Sequence, residues 1–208
     1  MYFPRRLSAW LLVISLSVLT ACDDNSQTPL RSLANDAVIL AFGDSLTYGT
    51  GADPKTESYP AVLTELSGRT VINAGVPGEV SGEGLARIER LLKQHQPQLV
   101  LLCHGGNDMI RKLSEAELKQ NLTAMVELIR AHGAEVVMLS VPKPGLFLKP
   151  APLYQEVAHA LRVPLENDII PDIESETALK ADPIHPNARG YRRLAERVHE
   201  LLSQSGAL

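Results

Sequence analysis

The sequence predicts a three-layer α/β/α sandwich around one mostly parallel five-stranded sheet. Three observations carry that prediction. Short, continuous apolar runs recur along the chain, as in strands buried on both faces. Amphipathic helical stretches separate them. Small polar clusters follow the runs, at the strand ends where open α/β sheets bind their ligands.

The first run is Ala37-Val38-Ile39-Leu40-Ala41-Phe42, ended by Gly43-Asp44. Tyr59 to Leu66 follows as a helix with Pro60 near its start. Thr70-Val71-Ile72-Asn73 is the second run. Gly84 to Gln96 places Leu85, Ile88, Leu91 and Leu92 on one helical face and stops before Pro97. Leu99 to Cys103 is the third run. Ser114 and Glu117 form a capping-box pattern ahead of a helix carrying Leu118, Leu122, Met125, Val126 and Ile129 to a stop at Gly133. Glu135 to Leu139 is the fourth run. Leu161 to Leu165 is a weaker fifth, and Pro164 argues for a sheet edge. Ala188 to Leu202 is a last amphipathic helix.

Composition bounds the function. The chain has 208 residues, 45% hydrophobic and 21% charged, which suits one domain with a sizeable core and excludes a disordered chain. Two cysteines exclude a disulfide scaffold. The net charge of -4 and the 4% aromatic content give neither a basic face nor a stacking platform, so nucleic acid is not an expected partner. The six histidines show no metal-ligand spacing, and no nucleotide-binding glycine pattern occurs, so no cofactor is expected. No Gly-x-Ser-x-Gly occurs, which argues against the α/β-hydrolase scaffold.

The N-terminus reads as a targeting segment. Arg5 and Arg6 precede an apolar run from Leu7 to Leu19, shorter than the roughly 20 residues that span a bilayer. Leu19-Thr20-Ala21-Cys22 then meets Asp23-Asp24. This resembles a bacterial lipobox, in which cleavage leaves Cys22 as the acylated first residue. On that reading residues 1–21 are a lipoprotein signal peptide, 22–35 a polar tether and 36–208 the folded domain. Removing 1–21 takes away Arg5 and Arg6 and no acid, so the net charge moves from -4 to -6. An acidic body gains nothing from anionic headgroups, so the expected hold on the membrane is the lipid on Cys22. The expected location is the bacterial cell envelope, on the periplasmic side of a membrane.

Four polar clusters stand where such a fold keeps a site. They are Gly43-Asp44-Ser45-Leu46, the loop through Gly78, Gly105-Gly106-Asn107-Asp108, and Asp182-Pro183-Ile184-His185. Taken singly each has a bland reading. Ser45 serves as a turn residue or helix cap, Gly78 as a turn glycine, Asn107-Asp108 as a cap or turn, and His185 as a helix-start residue. In this order the four resemble the SGNH (GDSL) hydrolase family, over nearly the whole segment from Val38 to the last helix. Gly84-Leu85-Ala86-Arg87 leading to Gly105-Gly106-Asn107-Asp108 is similar to the thioesterase I/lysophospholipase L1/arylesterase branch.

The resemblance implies a flavodoxin-like fold and a cofactor-free serine hydrolase of carboxylic esters or thioesters. It makes Ser45 the nucleophile, His185 the general base and Asp182 the residue that orients the imidazole, a spacing a short turn can accommodate. It assigns the oxyanion to the backbone N–H of Ser45, the backbone N–H of Gly78 and the side-chain amide of Asn107. Glycine suits position 78 if the loop N–H must approach substrate with no Cβ in the way. The expected partner is a small acyl ester or thioester, and a monomer is expected. A carbohydrate O-acetylesterase of the envelope is the rival enzyme, and a non-catalytic binding lipoprotein is the rival outside enzymology. Met109, Ile110, Leu113 and the segment 145–148 are candidates for acyl selection or, equally, for loop residues covering the core. Cys103 reads as core, and its neighbour His104 faces the other way if both lie on a strand.

Overall fold

The computed structural model describes residues 28–145 and 148–208. The expected signal peptide (1–21) and Cys22 lie outside the described residues. The elements run β1 (Val38–Gly43), α1 (Ser45–Tyr48), α2 (Tyr59–Ser67), β2 (Thr70–Gly75), α3 (Ser81–His95), β3 (Leu99–Cys103), α4 (Gly106–Ile110), α5 (Glu115–Ala131) and β4 (Glu135–Leu139). They continue with β5 (Pro142–Lys143), β6 (Lys149–Pro150), α6 (Pro152–Leu161), β7 (Leu165–Glu166), α7 (Ile169–Ser175) and α8 (Ala188–Gln204).

The main sheet has the order β2-β1-β3-β4-β7 with every pair parallel. This is the flavodoxin-like arrangement, whose strand order reverses between β1 and β3 and opens a crevice at their carboxyl ends. β3 is buried throughout, and β1 and β4 all but their first residues, which is why they read as unbroken apolar runs. β2, at the edge, is only partly covered. α2 packs against α8, and α3 and α6 pack against α5. Two helical layers therefore cover the sheet, as right-handed crossovers require. Ser58, Ser114 and Asn187 cap α2, α5 and α8 through side-chain oxygens.

Two expectations are corrected. The fifth strand is Leu165–Glu166 alone. Leu161 closes α6, and Arg162 takes a left-handed φ of 50° that ends the helix. The edge position that Pro164 suggested holds, since among the described residues β7 pairs only with β4. The described part of the expected tether, residues 28–35, is packed on the domain rather than free of it. The Leu30 and Leu33 N–H groups donate to the Ser205 and Ala207 carbonyls, both at 2.9 Å. Both leucine side chains join the core. Arg31 reaches Glu135 and the Gly133 carbonyl. Two leucines three residues apart give this polar stretch an apolar side, which the Pro-containing composition masked.

A fragment beginning at residue 36 should therefore be less stable than one beginning at 28. Burial of two leucines is worth about 3 kcal/mol, or roughly 6–12 °C in Tm for a chain of this size. Thermal melts of the two fragments test this, and equal Tm values would make the arm a passive attachment.

Candidate active site

The loops after β1, β2 and β3 and the turn before α8 converge at the carboxyl edge of the sheet. Ser45 is the first residue of α1, directly after β1. Its neighbour Asp44 caps that helix, accepting from the Leu46 N–H at 3.1 Å. His185 Nε2 lies 3.0 Å from Ser45 Oγ, and His185 Nδ1 lies 2.7 Å from Asp182 Oδ2. A carboxylate only accepts, so Nδ1 carries the proton, Nε2 accepts, and the Ser45 hydroxyl donates.

The three-residue spacing has a local cause. Asp182 Oδ1 accepts the backbone N–H groups of Ile184 (2.9 Å) and His185 (2.8 Å), which folds the turn. Oδ2 is left to take the ring. Burial weighs against its charge, but the bonds from His185 and Ile184 outweigh it and hold the Asp182 carboxyl at about 2. It is therefore ionised over any working pH. Asn187 pins the turn from below, donating to the Ala178 and Lys180 carbonyls.

Gly78 has a φ of 80°, in the region that favours glycine. A Cβ there would meet only Arg111 Nη2, at 3.7 Å. Backbone conformation in the free enzyme, rather than lack of space, requires glycine. Arg111 takes the Gly78 carbonyl at 2.6 Å. Neither the Ser45 N–H nor the Gly78 N–H donates to an acceptor among the described residues. Asn107 is different. Its Nδ2 already donates to the Glu79 carbonyl (3.0 Å) and to Asp44 Oδ2 (3.2 Å). Burial pushes the Asp44 carboxyl up.

Asp44, Ser45, Asn107 and His185 line a cleft of about 390 Å³, within the range of small-molecule sites, and Gly78 and Asp182 stand outside its lining. Ser45, Asn107 and His185 share it with the apolar side chains of Leu46, Ile110 and Val141.

Residues 41–193 match the GDSL-like Lipase/Acylhydrolase family. The chain is 32% identical over 183 residues to esterase TesA of Pseudomonas aeruginosa, covering 81% of this chain and 89% of that one. It is 32% identical over 169 residues to thioesterase 1/protease 1/lysophospholipase L1 of Escherichia coli, covering 76% and 78%. The crystal structure of esterase EstA from Pseudoalteromonas sp., inhibited by monoethylphosphonate, superposes with a TM-score of 0.73 at 26% identity, covering 81% and 98%.

The chain belongs to the GDSL-like lipase/acylhydrolase family. It is a hydrolase of esters or thioesters.

In this acylhydrolase a buried ionic network lies directly behind the cleft, and the sequence reading did not find it. Glu79, next to Gly78, takes Arg87 on both oxygens and His104 Nε2 at 3.0 Å. Burial opposes its charge, but the His104 and Arg87 bonds hold the Glu79 carboxyl below the usual range. Arg87 also donates to the carbonyls of Gly43 and Ala74, at the ends of β1 and β2, and stacks 4.2 Å above Phe42. The same Glu79 supplies the carbonyl that holds Asn107. Asp108 takes the Ser81 N–H and hydroxyl and so sews the β3 loop to the start of α3 rather than capping its own helix. Gly84 was legible only as a helix start; a Cβ there would sit 2.5 Å from His104 Nε2, so glycine makes room for that ring.

Of the acyl-selection candidates, Ile110, Gly145 and Leu148 line the cleft. Met109 packs against the core and Leu113 is exposed. Leu146 and Phe147 lie outside the described residues. Cys103 is buried in the core, and burial pushes its thiol up. Among the described residues no group of three or more His, Cys, Asp or Glu is placed to hold a metal ion.

Proposed function

We propose that the chain cleaves acyl esters or thioesters through an acyl-enzyme on Ser45. His185 takes the Ser45 proton as Oγ attacks the acyl carbon and returns it to the leaving alcohol or thiol. Water, deprotonated by the same imidazole, then releases the acid. Asp182 fixes the imidazole tautomer and balances the imidazolium. The N–H groups of Ser45 and Gly78, which have no acceptor among the described residues, serve the oxyanion. Asn107 serves it after one of its two N–H groups leaves its present acceptor, and the bond to Asp44 is the longer. One such donor is worth roughly 10²–10³ in rate.

The observation that carries this reading is the Ser45–His185–Asp182 hydrogen-bond chain at the wall of the cleft. Inhibition of the Pseudoalteromonas relative by a phosphonate supports a serine nucleophile here. The apolar lining favours acyl groups of some length over acetylated glycans, and the assembled hydrogen-bond chain favours catalysis over a binding role.

We further propose that Cys22 is lipidated after cleavage of residues 1–21, leaving the enzyme on the periplasmic side of a bacterial membrane as a monomer. The motive is the Leu19-Thr20-Ala21-Cys22 run with acidic residues after it. Mass spectrometry of the native N-terminus tests the anchor, and an unmodified Cys22 or cleavage elsewhere would make this a soluble secreted esterase. For the reaction, a fluorophosphonate probe should modify Ser45 and a C2–C16 panel of p-nitrophenyl esters should be turned over. Labelling that persists in Ser45→Ala would move the nucleophile elsewhere.

A further inference from the structure

Glu174, on α7, lies in the wall of the same cleft. Its residue is 5% exposed, so it is a deeply buried acid. Its carboxyl makes no hydrogen bond or ion pair with any described residue, although nearly all buried acids have such partners. Its oxygens are not sealed from solvent but open on the cleft, so a ligand that fills the cleft must supply the hydrogen bonds that it takes away. The same lining includes the apolar side chains of Ile110, Val141 and Leu148. An alkyl chain filling this cleft would leave the carboxyl unsatisfied.

We propose that Glu174 is a specificity residue that hydrogen-bonds a hydroxyl group on the substrate's acyl chain, so that the preferred substrates are hydroxyacyl esters or thioesters rather than plain alkyl ones. This rests on the acylhydrolase reading above and narrows its substrate class. A protonated carboxyl both donates and accepts, which matches a hydroxyl. Burial pushes the Glu174 carboxyl up to about 8, with Lys180 opposing and the charges of Asp44 and Asp182 reinforcing the rise. At neutral pH the group is therefore mostly the neutral acid. The same surroundings disfavour a cationic substrate, which would need the ionised form.

The test compares p-nitrophenyl octanoate with its 3-, 6- and 8-hydroxy counterparts and with p-nitrophenyl 6-(trimethylammonio)hexanoate. Wild type, Glu174→Gln and Glu174→Leu are each assayed. The expected result is a ratio of kcat/KM, best hydroxyacyl over octanoate, that falls about tenfold in Glu174→Leu, mainly through KM, the scale of one hydrogen bond. Glu174→Gln, which still donates, should keep the ratio within about threefold. In wild type the ratio should hold or rise as pH passes through 8, because the ionised carboxylate still accepts the substrate O–H and disfavours a plain alkyl chain more strongly, and in Glu174→Gln it should stay flat. His185, Asp182, Asp44 and Lys180 also face this region, but His185 acts on both substrates alike, so its titration cancels in the ratio.

A purely structural Glu174 would leave the ratio unmoved while lowering Tm. The proposal instead expects Glu174→Leu to melt no lower than wild type, because it removes an unpaired buried carboxyl. An unchanged ratio across the three proteins, or preference for the ammonium ester, overturns the proposal. Octanoate turnover by wild type checks the underlying hydrolase reading separately.

Discussion

Alanine at either Ser45 or His185 is expected to lower kcat by roughly 10⁶-fold, and the double variant should lose no more than either single one. The reason is that the two side chains act as one unit. Ser45 Oγ is a weak nucleophile until Nε2, 3.0 Å away, takes its proton. An imidazole with no hydroxyl beside it has nothing to activate for acyl transfer. The residual rate would come from the N–H groups of Ser45 and Gly78 and from binding alone. Steady-state rates on a p-nitrophenyl ester, with active-site titration to exclude trace wild type, measure it. Losses that multiplied in the double variant would mean that the two residues act independently. Ser45 is half-buried with no other side-chain partner, so both variants should fold.

Asp182→Asn should cost between roughly 10² and 10⁴ in kcat. An asparagine can still accept the Ile184 and His185 N–H groups and keep the turn. Its amide nitrogen then faces Nδ1, which forces the proton onto Nε2 and leaves the ring unable to accept from Ser45. In a buried triad that error costs about 10⁴. Here the Asp182 side chain is 45% exposed, so water can support the imidazolium and the cost is smaller. KM should hardly move, because the tautomer matters only when the proton transfers. A full-rate Asp182→Asn enzyme would leave the carboxylate a turn-former with no part in the chemistry.

The sheet and the loop of Ser45 were legible for the same reason. β1, β3 and β4 are covered on both faces, so burial wrote itself into the sequence as unbroken apolar runs. Ser45 and Asn107 follow the ends of β1 and β3, whereas Asp182 and His185 stand in the turn before α8 and were legible only through the resemblance. Legibility fails between Ser140 and Lys180. There β7 has two residues, one of them the buried Glu166 paired to Arg197, and nothing in that pattern reads as a strand. α6 carries Leu153, Tyr154, Val157, Ala158 and Leu161 at helical spacing, a periodicity that went unread beside the prolines. Glu79 and Glu174 were missed because a lone glutamate in a loop or a short helix looks like solvent-facing charge. Only the fold shows that one is held between a guanidinium and an imidazole and that the other faces the cleft.

The docking of the N-terminal arm sets a direction. Leu30 and Leu33 bond to the C-terminal tail, Ala34 bonds to Gln98 just before β3, and Arg31 pairs with Glu135 at the start of β4. All these strands are parallel, so the arm attaches at their amino edge while Ser45 and Asn107 follow their carboxyl edge. If Cys22 carries lipid, the stretch from Cys22 to Leu30 reaches about 25–30 Å at full extension. So short a leash, fixed to the floor of the sheet, would hold the molecule base-down on its membrane with the mouth of the cleft turned to the aqueous side. An enzyme so mounted would draw substrates that diffuse through the compartment, and would reach poorly the lipids of the leaflet on which it stands.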